Sequence, residues 1–100
     1  MKISALTSHE LALLNSVFRR HPRITEVKLF GSRAKGTHAP NSDIDLALCG
    51  DLDALQAQAV AAELDELPLP YRYDVQAFNA IRFLPLREHI ERVGITIYPE

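Results

Sequence analysis

A single cysteine, Cys49, occurs in the chain, so no internal disulfide can form and a reducing, cytoplasmic setting is expected. It falls within an apolar segment, where a buried, inert thiol is the ordinary state. No apolar run is long enough to span a bilayer, and the opening MKISALTSHELALL lacks the layout of a signal peptide. No membrane association is expected. Basic charge is not in excess either: 11 Lys and Arg stand against 13 Asp and Glu, a formal net charge of −2. Broad electrostatic attraction to nucleic acid is thereby disfavoured. Repeats, linkers and low-complexity tracts are missing, and 100 residues with 47% hydrophobic content suit one domain over residues 1–100. Zinc-ligand spacing, a P-loop, and any Ser-His-Asp or Cys-His arrangement are missing too.

What is present is concentrated in GSRAKGTHAPNSDIDLAL, Gly31 to Leu48. Asp43-Ile44-Asp45 leads into an apolar run that reads as a strand, and alternate residues of a strand share a face. Two carboxylates held that close repel each other unless a cation lies between them. Hard oxygen ligands suit magnesium, which takes one or two carboxylates together with substrate phosphates. A third carboxylate, Asp74, sits in RYDVQAF, where polar and apolar residues alternate as in a half-buried strand. Three aspartates on two neighbouring strands make a cage for two divalent ions. Such a pair activates an attacking hydroxyl and stabilises departing pyrophosphate. A plainer reading lets Asp43 close the Asn41-Ser42 turn, since Asp-x-Asp alone is common. The conjunction with Gly31-Ser32 and Asp74 favours a metal-dependent site for a nucleoside triphosphate.

The rest of the chain reads as alternating helices and strands. Thr7 with Glu10 forms a capping box for a helix reaching about His21, with Leu11, Leu14 and Phe18 inward. Residues 24–30 form a strand with Val27 and Leu29 inward, and Gly31 permits a turn that a Cβ would resist. Residues 32–35 form a short helical turn facing the phosphates. A polar loop over 37–42 follows, carrying His38, for which the chemistry has no need. After a strand over 44–49, Asp51 caps a helix over 52–66 with Leu55, Ala59, Val60 and Leu64 as core contacts. Pro68 and Pro70 lead to a strand over 72–78. Pro85 opens a last helix with Leu86, Ile90 and Val93 in register, Gly94 caps it, and 95–98 leaves in extended form. His9, His21 and His89 take surface positions, and Tyr71, Tyr73 and Tyr98 serve as core or rim residues. The order αβαβαβα indicates an α/β or α+β sandwich.

Gly31-Ser32, Asp43-Ile44-Asp45 and Asp74 resemble the signature of the DNA polymerase beta-like nucleotidyltransferase superfamily. GSRAKG, SDIDLAL, PYRYDVQAF and the GITIYP tail are similar to its MNT (minimal nucleotidyltransferase) branch, and the resemblance covers nearly the whole chain. Lys35 stands where arginine is frequent and Asn41 where aspartate is frequent, both outside the three metal positions. The resemblance implies a mixed sheet, ATP as substrate and Mg2+, two ions, as cofactor. It implies that Asp43 and Asp45 hold both metals, that Asp74 completes the catalytic ion and acts as base, and that Gly31, Ser32 and Arg33 cradle the β- and γ-phosphates. Lys35 is a further candidate there. MNT proteins are typically antitoxins encoded beside HEPN ribonuclease toxins. The implied reaction is thus transfer of AMP to a hydroxyl, a tyrosine's, on a HEPN-type toxin, in a hetero-oligomer with that toxin or at a homo-oligomer interface. Two other readings stay open: an antitoxin that acts by binding alone, and a nucleotidyltransferase subunit for a small molecule.

Overall fold

The computed structural model describes residues 6–35 and 43–99, apart from the side chain of Lys35. The expected loop over 37–42, with His38 and Asn41, lies outside the described residues, as does that side chain. The first helix, α1 (Ser8–Phe18), opens on the capping box: the Thr7 hydroxyl accepts from the Glu10 N–H at 3.1 Å, and the Glu10 carboxylate accepts from the Thr7 N–H at 2.9 Å. It ends at Phe18, short of His21. The chain tightens there, with the N–H groups of Arg20 and His21 donating three residues back to Val17 and Phe18.

Strand β1 (Ile24–Phe30) and the one-turn helix α2 (Ser32–Lys35) follow, then strand β2 (Ile44–Gly50). Helix α3 (Ala54–Asp65) is capped by Asp53, not by Asp51 as its sequence suggested. Asp53 accepts from the Gln56 N–H at 2.8 Å and Gln56 returns a bond at 2.9 Å, while Asp51 faces Arg23 at 3.3 Å. The face of the helix shifts accordingly. Ala57, Val60 and Leu64 are buried at helical spacing, whereas Leu55 is 73% exposed and Ala59 also faces outward.

Strand β3 (Tyr73–Ala77), a 3₁₀ turn (Phe78–Ala80), helix α4 (Leu84–Val93) and strand β4 (Ile95–Tyr98) complete the chain. The sheet order is β3-β2-β1-β4, with β1 antiparallel to β2 and β4, and β2 parallel to β3. A parallel pair needs a crossover, and α3 supplies it. The sheet is therefore mixed, as the resemblance implied. The tail is extended as expected, and it is also an edge strand, paired along Val27–Tyr98 and Leu29–Ile95. Asn15, buried on α1, ties that strand down by donating to the Ile97 carbonyl at 3.2 Å.

The two faces of the sheet are unequal. Val27, Leu29, Ile44, Leu46 and Leu48 pack against α1 and α3 in the main core, with Phe18 edge-on to Tyr98 at 5.6 Å. On the opposite face Phe30, Ala47, Ile81 and Ile90 make a smaller core beneath α4. Gly94 caps α4 in extended conformation, not left-handed (φ −64°), and its role is space: a Cβ there would collide with the Ile90 carbonyl. Among the described residues no helix is long and apolar enough to cross a membrane.

Candidate active site

Alternation along β2 determines which face its carboxylate occupies. Ile44, Leu46 and Leu48 take the main core, so Asp45 shares the second face with Ala47, near the start of β2 and in register with Phe30 of β1. Parallel pairing sets Asp45 directly beside Asp74 of β3. Neighbouring strands run about 4.8 Å apart, which leaves both carboxylates within reach of one ion. Asp43 lies exposed just ahead of β2, and Asp74 is exposed as well. Burial, then the charges of Asp74 and of Asp43, push the Asp45 carboxyl above the usual carboxylate range. The three groups thus feel one another's field. Their side chains stay spread: among the described residues, no group of three His, Cys, Asp or Glu is drawn together closely enough to hold a metal ion.

Gly31 joins β1 to this cluster. Its φ of +76° belongs to the left-handed region, and a Cβ there would collide with Asp45 Oδ2. Any larger residue would displace the carboxylate. Hard oxygen donors on two adjacent strands, open to solvent on one side, have the chemistry magnesium takes, and the space at Gly31 keeps Asp45 turned toward them. Ser32 begins α2 and is partly exposed next to Gly31. Arg33 is buried, 4% exposed, with its guanidinium carbon 4.9 Å from the centroid of the Tyr71 ring.

Residues that motif reading passed over lie behind this turn. The Tyr71 hydroxyl donates to the Glu10 carboxylate, which also caps α1. Burial would push the Glu10 carboxyl up, but bonds from Thr7 and Tyr71 and the Arg33 charge together hold it below its ordinary value. Glu10 was legible only as a capping residue; its second bond spans 61 positions and leaves no local signal. His21 is not simply a surface residue: its Nε2 lies 2.7 Å from Glu63 of α3, which also pairs with Arg20 at 3.0 Å. Cys49 is half-buried, and burial, then Glu26, pushes its thiol up, keeping it protonated. A cavity of about 210 Å³ beside α3 and β3, lined by Ala57, Gln76 and Ala80 among others, includes none of the three aspartates.

The family model described as "Polymerase beta, Nucleotidyltransferase" matches residues 13–100. A Haemophilus influenzae protein named "Probable protein adenylyltransferase MntA" is 32% identical over 94 residues, covering 92% of this chain and 82% of that protein. A crystal structure of a toxin-antitoxin with AMP-PNP superposes with a TM-score of 0.75 at 24% identity, over 90% of this chain and 73% of that one. The toxin-antitoxin MntA-HepT gives 0.71 at 20% identity, over 94% and 74% of the two chains. At these identities the structural likeness speaks for the fold. The family match spans most of the sequence and the Haemophilus relative aligns over nearly all of it, so the chain belongs to the polymerase beta nucleotidyltransferase family.

Proposed function

We propose that this protein is a nucleotidyltransferase antitoxin that uses ATP and Mg2+ to place AMP on a hydroxyl of a HEPN-type toxin. The observation that carries this reading is Asp45, in register with Asp74 and lying against a glycine that has room for nothing larger. Folding gains nothing from that crowding, since the neighbouring charges oppose ionisation of Asp45. A site for cations and phosphates gives the crowding a use. The name of the Haemophilus relative and the AMP-PNP complex of the structural neighbour point the same way.

In the proposed reaction the acceptor oxygen attacks the α-phosphorus of ATP, the bond to the bridging oxygen breaks, and pyrophosphate leaves. Asp43, Asp45 and Asp74 would hold magnesium, which when bound neutralises phosphate charge and favours the attacking alkoxide. Asp74 takes the acceptor proton, and its exposed place at the sheet edge leaves it open to an incoming hydroxyl. The Gly31–Arg33 turn receives the β- and γ-phosphates. We place the protein in the cytoplasm, where its single thiol and its nucleotide substrate both belong.

The rival reading is a module that silences its partner by covering it. Asp74→Asn separates the two, because it keeps the shape and removes the base. Under the catalytic reading the intact mass of the co-purified toxin rises by AMP units with the parent and ATP. It stays unchanged with the variant, whose cells lose protection. Full protection by a folded Asp74→Asn protein at parental level would sink the catalytic reading.

A further inference from the structure

The turn after Gly31 cannot hold its own shape. Helix α2 is a single turn of four residues, far below the length at which a helix is stable in water. Its anchor is Arg33, the one charged side chain among the described residues that is buried. A guanidinium leaves water only against partners that suit it. The Tyr71 ring is one, with the guanidinium carbon 4.9 Å from its centroid. The Tyr71 hydroxyl donates in turn to Glu10, whose other oxygen takes the Thr7 N–H at the start of α1. Tyr71 also stands three residues before Asp74, and the next carbonyl, Arg72's, accepts the Ile44 N–H at 2.8 Å. One path of contacts therefore runs from the turn through Arg33 and Tyr71 to the strand that carries Asp74, with α1 as its abutment.

We propose that Arg33, Tyr71 and Glu10 form a strut that sets the distance between the Gly31-Ser32 turn and the three aspartates, Arg33 acting from behind the turn. Arg33 and Tyr71 are then positioning residues. The proposal rests on the reading that this turn receives the triphosphate of ATP. It separates cleanly from direct phosphate contact by Arg33. A phosphate ligand needs only the guanidinium, which Tyr71→Leu keeps; a strut also needs the ring on which that guanidinium stacks, which Tyr71→Leu lacks.

The test is calorimetric titration of Mg-ATP into the full chain and its Arg33→Lys, Tyr71→Leu and Tyr71→Phe variants, with amide hydrogen exchange on each protein without nucleotide. The strut predicts a loss of affinity of about tenfold for Arg33→Lys and for Tyr71→Leu. It predicts a smaller loss for Tyr71→Phe, which keeps the ring under the guanidinium and gives up only the bond to Glu10. The Arg33→Lys/Tyr71→Leu double variant should bind no worse than either single one, since both break the same strut. Without nucleotide, amides of Ser32–Lys35 should exchange faster in Arg33→Lys while those of β1 and β2 stay protected. If Tyr71→Leu does not fold, the lysine and phenylalanine variants still decide. Parental affinity and parental exchange in Arg33→Lys would overturn the strut alone. No Mg-ATP binding by the parent would overturn the nucleotide reading and the strut together.

Discussion

Two side chains show how far individual residues are set by their neighbours. Tyr73 packs its ring against the main core, but its buried hydroxyl has no hydrogen-bond partner among the described residues. Burial, then Asp65, Tyr71 and Glu10, pushes its phenol from the ordinary 10 up to about 12. The neutral phenol contributes stability that is fully present below pH 10 and is lost as pH rises through about 12, because the unfolded chain ionises first. Tyr73→Phe removes an unsatisfied buried group and should raise stability by roughly 1 kcal/mol. Its urea midpoint should also fall less than the parent's between pH 10 and pH 12. A destabilised phenylalanine variant would mean that the hydroxyl has a partner. Arg33 shows the same dependence: in the sequence it is a charge beside a phosphate turn, and in the fold it is a buried guanidinium on Tyr71.

At the scale of elements, the start of α3 is the informative case. The sequence reads Asp51 as the cap, and reciprocal bonding with Gln56 gives the role to Asp53. Leu52 between them is buried, which fixes the direction from which the chain enters the helix. Asp53→Ala should cost about 1 kcal/mol, the usual loss for an N-cap. Asp51→Ala should cost much less, since its ion pair with Arg23 is exposed on both sides. Chemical denaturation of the two variants checks this, and equal losses would contradict the assigned cap. The helix boundary also explains why Leu55 and Ala59 lie outside: the face is chosen by Val60 and Leu64, which meet the sheet, and Leu55 falls on the far side.

For the whole molecule, the decisive relation is between the sheet and its two unequal cores. The larger core carries the stability, while the second face is covered by α4 for part of its length and ends in carboxylates. That division lets the site bear mutual repulsion without unfolding the domain. Asp45→Asn should therefore melt higher than the parent in EDTA, because it removes the most hindered of the three charges. Saturating Mg-ATP should raise the parent's melting temperature by on the order of 10 °C, as ligand at about 100 times Kd stabilises a domain of this size. The variant should gain much less. Equal shifts in both proteins, followed by thermal scans, would remove Asp45 from the nucleotide site.

Much of this protein is written locally. The capping box of α1, the strands β1 and β2, the turn at Gly31 and the Asp43-Ile44-Asp45 pair all follow from periodicity and short-range chemistry. These features depend on residues within a few positions of one another, so the sequence alone determines them. The register that sets Asp45 beside Asp74, the pairing of 95–98 as a fourth strand, the choice of Asp53 and the Arg33–Tyr71–Glu10 contacts were decided only by tertiary structure. The physical reason is common to all of them. Each depends on groups far apart along the chain, or on which helix face meets the sheet, and burial settles that only once the whole core is assembled.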